Sequence, residues 1–166
     1  MLKLGYTTRN IKILENQKLD IYMAKFQELS EIEQYKVKNH IANLVAISSV
    51  DGKFSKSEAE AILKICERYG LQRQDINEMI KDGSTSNYVI PADSYEKLEQ
   101  IYDFVTLILA DGSIDTKELD LCREITKLLQ INQANINNLI MNMVDDVRDG
   151  KKFDEVKTHL YAIANG

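Results

Sequence analysis

The second half of the chain copies the first half at a constant offset of sixty residues, without gaps, and this repeat limits the architectures open to it. The matches keep both the apolar positions and the residues that start and stop helices, which a chance alignment rarely does. Each unit is predicted to be a helix, an Asp-Gly turn, a second helix and a short helix. One unit alone would leave an apolar face in water, so we expect the two units to pack about a pseudo-two-fold axis. The identical pairs include Tyr35 and Tyr95, Ile41 and Ile101, Asp51-Gly52 and Asp111-Gly112, Glu58 and Glu118, and Ile65 and Ile125.

The periodicity of apolar residues predicts an all-α chain that forms a single compact domain of seven to eight helices. We divide it into an N-terminal helical extension (1–33), the tandem repeat (34–147, with units 34–81 and 94–147) and a C-terminal helix (148–166). With one proline and seven glycines, an all-β fold with many tight turns is a poor fit.

The helix predicted to end at Ala110 is apolar on almost all sides, since its last turns include Leu107, Ile108 and Leu109. Such a helix is expected to lie buried at the centre of the domain. The alternative is that part of it forms a self-association face, which would make the chain a homodimer. The C-terminal helix is amphipathic, with Phe153, Val156, Leu160 and Ile163 on one side.

Charge and hydropathy exclude several classes of function. The net charge is -5 and the lysines are scattered, so no basic face for a nucleic acid is visible. The most apolar stretch, Phe104 to Ala110, is far shorter than the ~20 residues that cross a bilayer. The N-terminus has no apolar region typical of a signal peptide, and we expect a cytoplasmic protein.

No catalytic motif is present, and we expect a non-enzymatic protein. Cys66 and Cys122 lie in apolar helical runs and are expected to be small buried hydrophobic residues. His40 and His159 belong to no nucleophile motif, and both are expected at the surface or partly packed.

The two Asp-Gly turns share the pattern Asp-Gly-x-apolar-Ser/Asp-x-x-Glu, over Asp51 to Glu58 and Asp111 to Glu118. This pattern matches the back half of an EF-hand loop, whose oxygen ligands surround a hard cation. The front half does not match, because leucines occupy its first and third ligand positions in the second unit. A bound cation would therefore need ligands from both turns together.

Helix capping is the alternative explanation for the same residues. Ser55-x-x-Glu58 and Asp115-x-x-Glu118 both fit the capping box, in which a side chain at each end satisfies a free backbone amide. Capping does not account for the aspartate before each glycine, which opposes the helix dipole by about 0.3–1 kcal/mol. We expect Gly52 and Gly112 to hold positive φ angles in these turns. Capping and cation binding both stay open at this point.

At these residues the chain resembles the TerB-like family, which comprises the tellurite-resistance TerB domain and relatives such as the N-terminal domain of membrane-anchored DnaJ-like co-chaperones. The resemblance covers about 34–147 and depends on NLVAISSVDGKFSKSEAEAILKICERYGL and its echo FVTLILADGSIDTKELDLCREITKLLQI. The first turn departs from the family pattern at Val50 and Ser55.

The resemblance implies a binding or adaptor domain of a stress response of the tellurite-resistance type. It implies a protein partner, for which a membrane protein of the same stress system is one candidate. It also implies a divalent-cation site for Ca²⁺ or Zn²⁺. A purely structural interaction scaffold or dimerisation module without metal is the competing interpretation. The cation ligands that the resemblance implies are Asp51, Glu58, Asp111, Asp115 and Glu118.

Overall fold

The computed structural model describes residues 26–48, 55–75 and 90–166, and every regular element in these ranges is helical. The all-α prediction is confirmed for this part of the chain. The first turn (Asp51 and Gly52), the loop over 82–87 and most of the predicted N-terminal extension and short helix 73–81 lie outside the described residues. The helices are α1 (Glu31–Ser48), α2 (Lys56–Arg68), α3 (Ser94–Ile108), α4 (Thr116–Leu128), α5 (Ile136–Arg148) and α6 (Phe153–Asn165).

Helix α3 lies at the centre and packs against all five other helices. Its buried residues point in every direction around the helix axis, as the apolar sequence predicted, and Leu98, Ile101, Phe104 and Leu107 are almost fully enclosed. Central burial is therefore confirmed for this helix, and its apolar last turns are not a free self-association face.

Helix α6 belongs to the same core, because it packs on α3 and α5. Val156, Leu160 and Ala164 are buried, and Phe153 and Ile163 pack partly against the core. The predicted apolar face of the C-terminal helix is thus confirmed. Among the described helices, we find none whose length and apolar character would let it cross a membrane.

The end of α2 shows how sequence signals stop a helix. Gly70 adopts φ +80°, and its amide donates to the Glu67 carbonyl while the Leu71 amide donates to the Cys66 carbonyl. This is the Schellman arrangement, which satisfies two carbonyls that would otherwise lack partners. Gly70 is the C′ glycine that the sequence predicted.

Gly112 has φ +84° in the second Asp-Gly turn, as expected, and nothing lies within 4 Å of where a Cβ would be. Replacement by valine therefore creates backbone strain and no clash. We expect Gly112→Val to lower the free energy of unfolding by at least about 1–2 kcal/mol in urea denaturation. Gly112→Asn is the control, and its free energy of unfolding should fall by less, because asparagine tolerates positive φ angles. Equal stability of the valine variant and the parent chain would contradict the importance of this angle.

Candidate functional site

Glu58 works as a helix cap in the structure. Its amide donates to Ser55 Oγ (3.1 Å), and the Ser55 amide donates back to Glu58 Oε2 (2.6 Å). The capping box at the start of α2 is thus confirmed. Glu58, one of the predicted cation ligands, is only 6% exposed and is therefore buried at the start of α2.

Asp115 begins α4 in the corresponding way. Its Oδ1 accepts from the amides of Lys117 (2.8 Å) and Glu118 (3.4 Å). Glu118 is 5% exposed, nearly as buried as Glu58. A side-chain oxygen therefore caps both helices at the same spacing, and the bond back from the glutamate is seen at Glu58.

Asp111 lies on the surface and closes its own turn. Its Oδ1 accepts from the amide (2.9 Å) and the hydroxyl (2.8 Å) of Ser113, which is an Asx-turn. These two hydrogen bonds lower the pKa of Asp111 below its ordinary value. The Asx-turn supplies the structural reason for an aspartate before glycine that capping alone did not give.

Within residues 26–48, 55–75 and 90–166, no three His, Cys, Asp or Glu side chains are grouped so that they could hold a metal ion. Asp51 lies outside these ranges, so the shared site of the two turns stays a prediction. The carboxylates of Glu58, Asp111 and Asp115 already accept backbone hydrogen bonds.

A cluster of polar side chains, with His40 and Asp103 buried and Arg68 half-buried, lies between α1, α2 and α3. His40 Nε2 is 2.8 Å from Asp103 Oδ2, and the same oxygen accepts a hydrogen bond from Arg68 Nη2 at 2.5 Å. The expectation that His40 lies at the surface or is partly packed is wrong, because His40 is 1% exposed and Asp103 is 2% exposed. His40 also packs edge-on against Phe104, with ring centroids 5.2 Å apart.

Desolvation and charge act against each other in this cluster. Burial alone would lower the pKa of Arg68, but the Asp103 carboxylate more than offsets it, so the pKa lies above its ordinary value. Burial also raises the pKa of Tyr69, and the Asp103 charge raises it further. Glu99 provides a second carboxylate, whose Oε1 lies 3.5 Å from Arg68 Nε. Burial raises the pKa of the Glu99 carboxyl. Asp103 is therefore the main partner of the arginine.

The other histidine of the chain also contacts a buried aspartate. His159 Nε2 lies 2.9 Å from Asp146 Oδ2, and Lys151 Nζ donates to Asp146 Oδ1 at 2.8 Å. The Tyr102 hydroxyl donates to the Lys151 carbonyl (2.9 Å), which connects this group to α3. His159 is half-exposed, as expected for a partly packed side chain.

A cleft with a volume of about 630 Å³ lies beside the charge cluster, between α2, α3 and the start of α6. Its apolar lining includes Ala61, Ile65 and Leu109, and Phe153 from α6. The lining of α2 runs from Ser57 to Arg68, about 16 Å at 1.5 Å per residue, or three helical turns. The charged residues that line the cleft are Glu60, Lys64, Arg68, Glu99, Asp103, Lys151, Lys152 and Asp154.

Both cysteines are fully buried, as expected for small hydrophobic residues. Burial raises the pKa of each thiol to about 12, with the nearby Asp103 charge adding to the effect at Cys66. Both thiols are thus protonated near neutral pH and are poor nucleophiles.

Sequence reasoning did not find the Asp103 cluster or the cleft. One signal was available, since Asp103 is a lone acid inside an otherwise apolar run from Ile101 to Val105 that also holds Tyr102. A buried acid of this kind requires a cationic or hydrogen-bonding partner. The identity of its partners was not readable, because they lie 63 and 35 residues away along the chain.

Searches of protein-family models, of curated proteins and of solved structures found no match to the chain.

The role of Asp111 is tested by two substitutions. Asp111→Ala should lose about 0.5–1 kcal/mol of unfolding free energy with its hydrogen bonds, whereas Asp111→Asn keeps an acceptor oxygen and should lose less. The lowered pKa belongs to the folded state, so the stability from the charged form is present near neutral pH and lost as the pH falls through the acidic range. The asparagine variant should lack that pH dependence. If roughly 1 mM Ca²⁺ or Zn²⁺ raises the melting temperature of the parent but not of Asp111→Asn, a purely structural role is contradicted.

The cluster is tested by Asp103→Ala, which removes the carboxylate that Arg68 and His40 share and leaves Arg68 with Glu99 alone. Removal of one partner from a fully buried ion pair costs about 3–5 kcal/mol, and because the Arg68 side chain is 39% exposed we expect a loss toward the lower end of that range in urea denaturation. Asp120→Ala is the matched control, because it removes an exposed carboxylate that pairs with Arg123 on α4. The control should lose less than about 1 kcal/mol. Similar losses in both variants would show that Asp103 does not stabilise the core.

Proposed function

We propose that the chain is a non-enzymatic protein-binding module of the TerB-like type, and that the cleft between α2, α3 and the start of α6 is its binding surface. The observation that carries this proposal is the form of the cleft: about 630 Å³, open, and lined by both apolar and charged side chains. Interfaces between proteins commonly combine an apolar centre with a polar rim.

The dimensions of the cleft suit one helical segment of a partner. Its lining on α2 spans about three helical turns, and α3 contributes Tyr102 and Thr106 beside it. Amphipathic helices bind such grooves by placing apolar residues at spacings of three and four along the floor. We therefore expect a partner segment with one apolar face.

The state of the reactive side chains supports a binding role over a catalytic one. Both thiols are buried with a pKa of about 12, and both histidines contact buried aspartates. Arg68, the cation deepest in the cluster, is engaged by Asp103 and Glu99.

The duplicated architecture is part of this proposal, because the TerB-like resemblance depends on it. The bounds of α2 and α4 differ by sixty residues at both ends, and α1 and α3 end at Ser48 and Ile108, again sixty apart. After α2 and α4, the positive φ angles fall at Gly70 and Gln130. These correspondences support two related units, and the resemblance extends the proposal to a cytoplasmic stress response in which a membrane protein is one candidate partner.

The binding surface is tested with a fluorescently labelled helical peptide of about four turns, with leucines on one face and glutamines on the other. Fluorescence anisotropy should show binding to the parent chain. Ser57→Tyr and Ala61→Tyr place bulk in the cleft, and each should weaken binding by about tenfold or more.

The matched control is Ala162→Tyr, which adds the same bulk at an exposed position on α6 that does not line the cleft. It should bind the peptide as the parent chain does. Failure of the parent chain to bind, or equal weakening by all three tyrosine variants, would contradict the cleft as the binding surface.

A further inference from the structure

We propose that a second pocket, beside the first half of α1, binds a small primary amine whose ammonium group donates to His40 Nδ1. The pocket has a volume of about 240 Å³ and lies between α1, the start of α3 and Tyr69, which follows α2. It is separate from the cleft of the proposed function, because Glu99 is the one lining residue that the two share. The polar atoms of its wall, and the partners that these atoms already have, identify the class of ligand.

His40 brings an unused hydrogen-bonding atom to this pocket. The residue is 1% exposed and lines the pocket, and its Nδ1 has no hydrogen-bond partner among the residues that the structure describes. The other ring nitrogen, Nε2, lies 2.8 Å from Oδ2 of Asp103, which does not line the pocket. Nδ1 is therefore the polar atom that the ring has left for a ligand. Because a buried polar atom without a partner costs free energy, a ligand that supplies one is favoured.

The contact with Asp103 decides what kind of group Nδ1 requires. The Asp103 carboxylate, which also accepts a hydrogen bond from Arg68, can only accept, so Nε2 of His40 donates to it. A neutral imidazole has a single N–H, which leaves Nδ1 as an acceptor. A second proton, on Nδ1, would have no acceptor within the described ranges. The ligand therefore has to present a hydrogen-bond donor.

The charges of the lining favour a cationic donor over a neutral or anionic one. Three glutamates line the pocket against one lysine, and these residues are Glu33, Glu96, Glu99 and Lys36. An excess of carboxylates around a confined space attracts cations and repels anions. A hydrogen bond from an ammonium is also stronger than one from a neutral donor. The cation is organic, because no three His, Cys, Asp or Glu side chains of the described part of the chain are grouped so that they could hold a metal ion.

Two of the three carboxylates already have partners in the chain. Glu33 accepts hydrogen bonds from the amide and the hydroxyl of Ser30, and Glu99 lies 3.5 Å from Arg68. Glu96 is exposed at the start of α3 and forms no ion pair with any described residue. Its charge is therefore the one that is available to an incoming ammonium.

The rest of the wall accounts for an apolar body on the ligand. Leu29, Val37 and Tyr69 line the pocket beside the polar atoms. The volume of the pocket is below the roughly 300–1,000 Å³ of sites for drug-sized molecules, so its ligand is smaller than these. An amine with a short hydrocarbon body meets both conditions.

The test compares phenethylamine with phenethyl alcohol, which share one hydrocarbon body and differ in the donor group. The amine is protonated near neutral pH, as a lysine side chain is. Titration followed by amide NMR spectra should show binding to the parent chain, with the largest shifts at residues that line the pocket. The amine should bind at least about tenfold more tightly than the alcohol.

The first variant is His40→Gln, which removes Nδ1 and keeps an amide group that can donate to Asp103. Glutamine already occupies the matching position of the second unit, where Gln100 is 8% exposed, so the variant is expected to fold. It should bind the amine at least about tenfold more weakly than the parent chain does. Its melting temperature is measured in parallel as the check on folding.

The second variant is Glu96→Gln, which changes an exposed residue and leaves the core as it is. It should weaken binding of the amine by about two- to fivefold, as for an exposed ion pair, and leave binding of the alcohol unchanged. The matched control is Glu31→Gln, which changes the net charge equally at an exposed glutamate in the first turn of α1 that does not line the pocket. The control should bind the amine as the parent chain does.

Three results would overturn the proposal. The first is a parent chain that does not bind the amine or binds the alcohol equally well. The second is a folded His40→Gln variant that binds the amine as tightly as the parent chain does. The third is equal binding of the amine by Glu96→Gln and Glu31→Gln, because the charge at the pocket would then not select its ligand.

Discussion

The structure depends on the neutralisation of one carboxylate inside an otherwise apolar helix. Helix α3 is the element that each of the other described helices covers, and it carries Asp103 at 2% exposure. An unpaired charge there would be far too costly to bury, so the fold has to bring a cation to it. Arg68 of α2 is that cation, and His40 of α1 contacts the same carboxylate from a second helix. The position of α1 and α2 around α3 is therefore fixed by charge as well as by apolar packing.

The same requirement connects the core to the surface. Arg68 reaches Asp103 from the wall of the cleft, with its guanidinium 5.0 Å from the centre of the Tyr69 ring. Arg68 forms an ion pair with Asp103 inside the protein, and Lys151 forms one with Asp146. Two of the four cations that line the cleft are thus engaged by buried aspartates.

Much of the fold was readable from the sequence because it depends on local signals. The helix starts at Ser55 and Asp115, the C′ glycine at Gly70 and the burial of the helix that ends near Ala110 follow from capping chemistry and apolar periodicity. The candidate site was not readable in the same way. Periodicity assigns a residue to a face of its helix, but it does not say which residue of another helix lies opposite. The contacts of Asp103 and the gap between α2 and α6 arise only when the helices are assembled.

The repeat itself explains why sequence comparison within the chain gave no help with the site. At the offset of sixty residues, Asp103 corresponds to Asn43, His40 to Gln100 and Arg68 to Leu128. Leu128 is 57% exposed. The second unit therefore has an exposed apolar side chain at the position where the first unit has Arg68, which contacts the buried Asp103. The caps and core positions recur in both units, whereas the charge cluster and the cleft beside it occur where the units differ. The positions that recur at this offset belong to caps and core, whereas Arg68 has no charged counterpart and contributes to the charge cluster and the cleft at one place only.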